Sequence, residues 1–265
     1  MPVSSLVARY DHLLLDLDGC VWVGDEATSG AVEAVSALRA AGKGVAFVTN
    51  DTQLGTEEYV RKLWRLGFQA SLEEVVTCGG ALQFVLAERH AGRSAVVIGS
   101  DALHRHVEAA GLRIVNGTTF ASRADVVVVA FHPRFDYEEL REATQAALRG
   151  AYLIGSNRDA TIPKPDGLWP GSGAIIAAVE TASGRALMTV GKPEPTLVQT
   201  ALDRLGPGRA LMVGDRVDAD LAAAHAAGID GAIVLTGASD RKAAETAPEP
   251  GAVAIAERLQ TLVLA

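Results

Sequence analysis

Two aspartates lie two positions apart, Asp16 and Asp18, directly after the apolar run HLLL. Side chains two positions apart on an extended segment can point to the same side, so both carboxylates can face one site. Close like charges raise one of the two pKa values, which separates an ionised carboxylate that can attack from a protonated one that can donate a proton. A carboxylate nucleophile splits one difficult displacement into two easier steps. The pattern is therefore typical of an enzyme that works with paired carboxylates.

Three further groups of polar residues follow predicted strands, namely Thr49-Asn50, Gly191-Lys192-Pro193, and Gly214-Asp215 with Asp218 and Asp220. A hydroxyl, an amide and an ammonium suit the oxygens of a phosphoryl group as charge spreads over them. The acids at 16, 18 and 215 would repel one another, and Mg²⁺, which prefers oxygen ligands, would offset that repulsion. Each group alone is also typical of a turn or a helix cap. Their order along the chain is what favours phosphoryl chemistry with magnesium.

Alternating strands and helices must position these groups. The apolar patterns predict strands at 12–16, 45–50, 95–98, 126–131, 187–191, 210–214 and 232–236. They predict helices at 30–42, 56–66, 101–110, 137–149, 195–205 and 217–227. Such alternation indicates an α/β fold with a mostly parallel, doubly wound, Rossmann-like sheet. In such sheets ligands lie beyond the carboxyl ends of the strands, where all four polar groups are predicted to be.

Composition narrows the class of protein. The 265 residues carry a net charge of -8, which gives no basic surface for nucleic acid or an anionic membrane. Two cysteines, Cys20 and Cys78, are too few for a disulfide framework and favour a cytoplasmic protein. The longest apolar run is far below the ~18 residues of a membrane span, and no signal peptide is predicted.

The four motifs DLDG, VTND, GKP and GDRVDAD, in this order, resemble those of the haloacid-dehalogenase (HAD) superfamily. The stretches GDEATSGAVEAVSALRAAG and SNRDATIPKPDGLWPGSGAI are similar to the NagD or 4-nitrophenylphosphatase branch of that superfamily. The resemblance covers nearly the whole chain. It implies a cytoplasmic, magnesium-dependent phosphatase that hydrolyses small phosphomonoesters through an aspartyl-phosphate.

The resemblance also implies a role for each motif position. Asp16 would be the nucleophile, and Asp18 the general acid and base in both half-reactions. Mg²⁺ would be held by the Asp16 carboxylate, the Asp18 backbone carbonyl and the Asp215 side chain, while Asp220 would orient a water ligand. Thr49 and Lys192 would hold the phosphate, and Lys192 would also steady Asp16. Asn50 is a further phosphate-binding candidate, because its amide or backbone N–H suits a phosphoryl oxygen.

The long interval between Thr49 and Lys192 is enough for a complete inserted domain. We expect a HAD-like core at 1–79 and 187–265 and an inserted α/β cap at 80–186. In related proteins such a cap covers the active site and helps to select the substrate. Its contact loop is expected to include Asn157, Arg158 and Asp159, where Arg158 either reaches a hydroxyl or a second anionic group or is solvated, as an arginine on a loop more often is. Relatives often pair through their caps, so a homodimer is also expected.

Other functions fit parts of the pattern. A dehalogenase shares the nucleophile but needs neither an acid at Asp18 nor magnesium. A phosphomutase of the same superfamily is not excluded by the sequence. A phosphorylation receiver, which does not turn over substrate, is about half this length and lacks the acid two positions after its aspartate. Among phosphatase substrates, a small polyol or sugar phosphate such as glycerol phosphate is favoured over nucleotides.

Two positions depart from the usual motifs. Many relatives have asparagine where this chain has Asp51, which places an extra acid near an anion site. We expect the Asp51 side chain to turn away and cap the following helix. Cys20 stands where a threonine or an aliphatic residue is common, and we expect it to be a small buried side chain.

Overall fold

The computed structural model describes residues 1–164 and 167–265. Pro165 and Asp166, within the stretch SNRDATIPKPDGLWPGSGAI, lie outside the described residues. The chain forms two compact units. The first comprises Met1–Thr49, Thr56–Val76 and Lys192–Ala265, and the second comprises Asn50–Gly55 and Thr77–Gly191.

The elements alternate along the chain as the apolar patterns predict. The strands are β1 (His12–Asp16), β2 (Trp22–Val23), β3 (Glu26–Ala27), β4 (Gly44–Thr49), β5 (Val75–Thr77), β6 (Ser94–Ile98), β7 (Arg113–Ile114), β8 (Val126–Val129), β9 (Tyr152–Gly155), β10 (Thr161–Lys164), β11 (Gly167–Pro170), β12 (Met188–Thr189), β13 (Ala210–Gly214), β14 (Asp230–Val234) and β15 (Ala254–Ala256). The helices are α1 (Ala31–Ala40), α2 (Thr56–Arg65), α3 (Cys78–His90), α4 (Asp101–Ala109), α5 (Tyr137–Leu148), α6 (Ser172–Ser183), α7 (Thr196–Leu205), α8 (Ala222–Ala226), α9 (Arg241–Glu245) and α10 (Leu259–Val263).

The first unit is built on a sheet with the strand order β15-β14-β13-β1-β4-β5. The pairings from β15 to β4 are parallel. Strand β1 is buried on both faces, as its unbroken apolar sequence requires in a sheet covered by helices. The predicted α/β fold with a doubly wound parallel sheet is confirmed.

Strand β1 lies at the point where the strand order reverses. Its neighbour on one side is the next core strand, β4, and its neighbour on the other side is the much later β13. Such a switch point opens a crevice at the carboxyl ends of the strands. In the register, Asp16 is opposite Val48, and Leu15 is opposite Val213. The residues after β1, β4 and β13 therefore emerge at one edge of the sheet.

The second unit has its own parallel sheet, in the order β12-β9-β8-β6-β7, and a separate antiparallel hairpin of β10 and β11. Its central strand β8 consists of four buried valines, which suit a strand covered on both faces. Helix α5 packs on this sheet and begins with a reciprocal capping box between Asp136 and Glu139.

The division of the chain differs in detail from the predicted domains. The predicted insertion at 80–186 falls within the second unit, but residues 187–191, which were expected in the core, also belong to that unit. The reason is that β12 pairs with β9 and forms an edge of the second sheet. Residues 50–55 and 77–79, which were also expected in the core, belong to the second unit as well.

Several elements were not predicted from the sequence, among them α3, β9, α6 and the two hairpins. The predicted helix at 217–227 is a π-helical turn, Val217–Leu221, followed by the short helix α8. No helix among residues 1–164 and 167–265 is long and apolar enough to cross a bilayer.

Replacement of a leucine on the central strand tests how strongly this sheet is packed. Leu14 in β1 is fully buried, whereas Leu72 in the same unit is 45% exposed. We expect Leu14→Ala to lower the free energy of unfolding by about 2–5 kcal/mol, because the sheet cannot collapse around the cavity. Leu72→Ala is expected to change it by about 0.5 kcal/mol or less. Urea unfolding followed by circular dichroism measures both, and equal effects would contradict the assigned burial.

Candidate active site

Four charged side chains meet at the carboxyl edge of the first sheet. Asp16 ends β1, Asp215 follows β13, Asp220 lies in the π-helical turn after it, and Lys192 begins the return of the chain to the first unit. All four are buried, with at most 6% of each residue exposed. Three predicted motifs are thus brought together by this edge of the sheet.

Lys192 lies at the centre of this group. Its ammonium nitrogen Nζ donates to Oδ1 of Asp16, to Oδ1 of Asp220 at 2.6 Å and to the backbone oxygen of Val48 at 3.3 Å. An ammonium has three N–H donors, so these three acceptors match its capacity. Burial alone would lower the pKa of Lys192, but the charges of Asp16 and Asp220 outweigh burial and raise that pKa. Lys192 is therefore a charged, fixed cation.

The route by which Lys192 reaches the site differs from the predicted one. The sequence places it after a strand, and we expected that strand to belong to the core sheet. The strand is β12, which belongs to the sheet of the second unit. Lys192 is instead the first residue of the segment that returns to the first unit and leads into α7.

Asp220 holds Lys192 and the backbone after β13 at the same time. One carboxylate oxygen, Oδ1, accepts from Lys192, and the other, Oδ2, accepts the N–H groups of Asp215 at 3.1 Å and Arg216 at 3.0 Å. Both oxygens of this buried carboxylate are therefore satisfied within the protein. Its predicted role in orienting a water ligand of a metal stays a prediction.

Asp215 is held by the loop after β14. Its Oδ2 accepts the N–H of Ala238 at 2.6 Å. Burial, together with repulsion from Asp220, raises the pKa of Asp215 to about 6. A Cβ on Gly237 would come within 1.9 Å of Oδ2 of Asp215, and one on Gly19, where φ is +85°, within 2.5 Å of the same oxygen. Both positions need glycine to leave room for this carboxylate.

The three carboxylates form a cluster that suits a divalent cation. Asp16, Asp215 and Asp220 each offer an oxygen, and these oxygens lie within 4.8 Å of one another. Lys192 neutralises only part of their charge. Burial raises the pKa of Asp16 well above its usual value, and Asp220 and Asp215 raise it further against the opposing effect of Lys192. Hard oxygen donors with excess negative charge are the environment that Mg²⁺ prefers.

Asp18 differs from Asp16 in its exposure. Asp16 is buried, whereas Asp18 lies two residues beyond the end of β1 and is exposed. Its Oδ1 accepts the indole N–H of Trp22 at 2.8 Å. An exposed carboxylate beside a buried one fits the two different roles predicted for the pair, which themselves stay predictions.

The predicted phosphate-binding pair, Thr49 and Asn50, divides between the two units. Thr49 is buried at the end of β4 in the first unit. Asn50 belongs to the second unit, where its amide Nδ2 donates to Asp159 at 3.3 Å and its backbone oxygen accepts from Asn157 at 2.9 Å. Phosphate contact by either residue stays a prediction.

The predicted cap residues lie after β9 in the second unit. Arg158 forms two hydrogen bonds with the carboxylate of Glu180, at 2.9 and 3.2 Å, and a third with the backbone oxygen of Leu187 at 2.8 Å. These contacts give Arg158 a structural role within its own unit. The part of Asn157, Arg158 and Asp159 in substrate selection stays a prediction.

The structure shows what surrounds Asp51 and Cys20, the two residues that depart from the usual motifs. The Asp51 carboxylate accepts from the backbone N–H and the side-chain amide of Gln53, both at 3.0 Å. Asp51 therefore stabilises a turn before α2, which begins at Thr56. The expected cap on that helix stays a prediction. Cys20 is fully buried, as predicted, and burial together with the charge of Asp16 raises the pKa of its thiol.

Two parts of this site were missed by sequence reasoning. The loop at Gly237 and Ala238 follows the predicted strand 232–236, so its place after a strand could have indicated it. The bond of Trp22 to Asp18 was not predicted, because it depends on the hairpin of β2 and β3, whose strands are too short to recognise from periodicity.

Two family models match the chain, one in its N-terminal half and one near its C-terminus. Residues 13–113 match a family of haloacid dehalogenase-like hydrolases, and residues 189–262 match a HAD-hydrolase-like family. The resemblance inferred from the motifs is thus confirmed.

Individual proteins agree with the family models. The chain is 39% identical to a D-glycerol 3-phosphate phosphatase of Mycobacterium tuberculosis over 89% of this chain, and it spans 65% of the length of that relative. It is 34% identical to an acid sugar phosphatase of Staphylococcus aureus, over 87% of this chain and 88% of the relative. Among solved structures, a glycerol phosphate phosphatase from M. tuberculosis in complex with magnesium superposes with a TM-score of 0.88 at 38% identity, covering 98% of this chain and 78% of that one.

Removal of the central cation tests the electrostatics of the site. We expect Lys192→Met to lower the free energy of unfolding by about 3–5 kcal/mol, because it leaves Asp16 and Asp220 buried without their partner. Urea unfolding in the absence of metal measures the loss.

Two further variants complete this experiment. Adding Asp220→Asn to Lys192→Met is expected to restore part of the stability, because the amide oxygen can still accept the N–H groups of Asp215 and Arg216. Lys242→Met, an exposed lysine of the same unit, is the control and is expected to change stability by about 0.5 kcal/mol or less. Equal losses in Lys192→Met and Lys242→Met would show that the buried ion pairs are not formed.

Proposed function

Because the chain belongs to the haloacid dehalogenase-like hydrolases, we propose that it is a magnesium-dependent phosphatase that hydrolyses small phosphomonoesters. The observation that carries this proposal is the buried group of Asp16, Asp215 and Asp220 around Lys192 at the switch point of the sheet. This group combines a carboxylate held ready to attack, a fixed cation and an excess of oxygen donors.

In the first half-reaction, a carboxylate oxygen of Asp16 attacks the phosphorus atom. A bond between that oxygen and phosphorus forms as the bond from phosphorus to the ester oxygen breaks. Asp18 donates a proton to the departing oxygen, so the product leaves as an alcohol. Lys192 favours the ionised form of Asp16 that this attack requires.

In the second half-reaction, water hydrolyses the aspartyl-phosphate. Asp18, now ionised, accepts a proton from the water as its oxygen attacks phosphorus. The bond between phosphorus and the Asp16 oxygen breaks, inorganic phosphate leaves, and both carboxyl groups return to their starting states. The exposed position of Asp18 supports this role, since the group must exchange protons with a leaving group and with water.

Magnesium would be held by side-chain oxygens of Asp16 and Asp215 and by the backbone carbonyl of Asp18. When bound, it supplies positive charge that neutralises the acidic cluster and the phosphoryl oxygens. Asp220 is less suited to direct coordination, because both of its oxygens already accept hydrogen bonds from Lys192 and the backbone. Phosphate would be held by Thr49, by Asn50, and by Lys192 if its longest hydrogen bond, to Val48, is exchanged for a phosphoryl oxygen.

We infer that the substrate is a small polyol or sugar phosphate, with glycerol phosphate as the leading candidate. The names of the relatives, a D-glycerol 3-phosphate phosphatase and an acid sugar phosphatase, support this class. The second unit would act as the substrate cap, with the loop of Asn157, Arg158 and Asp159 as its contact segment. Release of inorganic phosphate from a panel of phosphorylated metabolites tests the assignment.

We also place the protein in the cytoplasm and expect it to form a homodimer. The cytoplasmic assignment is supported by the low number of cysteines, Cys20 and Cys78, both of which are buried. Size-exclusion chromatography with light scattering tests the dimer.

Removal of the two site carboxyl groups tests the mechanism. Asp16→Asn is expected to abolish phosphate release from glycerol 3-phosphate, because the amide is no longer a carboxylate nucleophile. Asp18→Asn is expected to lower turnover by about 10²–10⁴-fold, the usual contribution of a positioned acid–base group. Asp218→Asn is the matched control, since Asp218 lies in the π-helical turn that carries Asp220 but is exposed and paired with Arg216. Unchanged turnover in either of the first two variants would refute the assigned roles.

Metal removal tests the role of the acidic cluster. EDTA is expected to silence the enzyme and Mg²⁺ to restore it, because the excess negative charge of Asp16 and Asp215 would otherwise repel the phosphoryl group. Asp215→Asn is expected to require a higher Mg²⁺ concentration for half-maximal activity. Activity that is indifferent to EDTA would count against the metal.

A further inference from the structure

Trp22 connects the exposed carboxylate of Asp18 to the interior of the first unit. The indole is fully buried, and its N–H donates to Oδ1 of Asp18 at 2.8 Å. The backbone oxygen of Trp22 accepts the N–H of Gly19 at 2.7 Å. The turn that carries Asp18 is therefore hydrogen-bonded to both the side chain and the backbone of Trp22.

Helix α2 fixes the indole ring. The ring of Tyr59 lies parallel to that of Trp22, with an interplanar angle of 2° and a centroid distance of 6.5 Å. The ammonium of Lys62 lies 4.4 Å from the indole centroid, within the range of a cation–π contact, and also donates to the backbone oxygen of Gly24 at 2.8 Å. Trp22 is thus held in one orientation by contacts that do not involve the acidic cluster.

An exposed carboxyl group can sample several rotamers, and a general acid contributes only when its proton points at the leaving group. We propose that Trp22 is a positioning residue that fixes the rotamer of Asp18 and selects which of its oxygens carries the transferred proton. The inference rests on the proposed phosphatase function. Because Oδ1 accepts the indole proton, the acidic proton resides on Oδ2, and Oδ2 is the oxygen that donates to the leaving group and later accepts a proton from water.

The nature of the leaving group separates this role from a general effect on folding. An alkoxide such as that of glycerol needs a proton to depart, whereas 4-nitrophenolate departs without one. The value of kcat/KM reports the step in which the leaving group departs. A misplaced Asp18 should therefore reduce kcat/KM much more for glycerol 3-phosphate than for 4-nitrophenyl phosphate.

The test is Trp22→Phe, which keeps an aromatic ring and removes the N–H donor. We expect kcat/KM for glycerol 3-phosphate to fall by about 10- to 100-fold, the size of effect that a small misplacement of a catalytic group produces. The loss for 4-nitrophenyl phosphate is expected to be at least about 10-fold smaller. Trp64→Phe is the matched control, because it removes a surface indole whose N–H bonds to the backbone of Ala70 in the same unit. Equal losses on the two substrates, or no loss, would overturn the proposal.

A double-mutant comparison asks whether Trp22 acts through Asp18. In the Asp18→Asn background, Trp22→Phe is expected to cause little further loss on glycerol 3-phosphate, because effects that share one group are not additive. Independent, multiplying losses would contradict the inference. If the wild-type protein does not turn over either substrate, or Asp16→Asn remains active, the proposed function itself fails.

A measurement on the intact indole covers the case in which Trp22→Phe does not fold. The chain has three tryptophans, so its indole N–H resonances can be assigned with Trp64→Phe and Trp169→Phe. Asp18→Ala is expected to shift the Trp22 resonance upfield through loss of the hydrogen bond and to leave that of Trp64 in place. A Trp22 resonance that does not respond would show that the indole does not hold Asp18.

Discussion

The buried ammonium of Lys192 between Asp16 and Asp220 is the interaction on which the rest of the candidate site depends. Three carboxylates at one sheet edge would repel one another in a region that water cannot screen. Lys192 offsets part of that repulsion and uses its remaining donor on the backbone of β4. Burial, together with the charge of Asp220, raises the pKa of Asp215, and the negative charge left over suits the cluster to a divalent cation.

The backbone supplies most of the remaining stabilisation. N–H groups from the loops after β13 and β14 bind the carboxylates of Asp220 and Asp215, and glycines at 19 and 237 leave space for them. Hydrogen bonds to ionised carboxylates are stronger than those between neutral groups. The acids are therefore held by rigid elements of the sheet edge, which is what a preorganised reaction centre requires.

The two aspartates of the DLDG motif are held by different means. Asp16 is fixed by charge inside the sheet edge, whereas Asp18 is exposed and is bound by a neutral indole donor. A neutral donor can orient a carboxyl group, but it favours the ionised form less strongly than a lysine does. This difference in partners fits one carboxylate that attacks and another that transfers protons. Because the hairpin of β2 and β3 and helix α2 hold Trp22, they also take part in positioning Asp18.

The sequence by itself determined the α/β class, the family and the positions of the central core strands β1, β4, β13 and β14, because buried strands and the polar residues that end them are local patterns. Tertiary structure decided how these pieces pair. Only pairing over long sequence distances assigned β12 to the second sheet and brought the loop of Gly237 to Asp215. The short hairpin of β2 and β3, which has no recognisable periodicity, set the indole of Trp22 against Asp18. Such contacts depend on which strands and loops become neighbours in space, and neither composition nor periodicity contains that information.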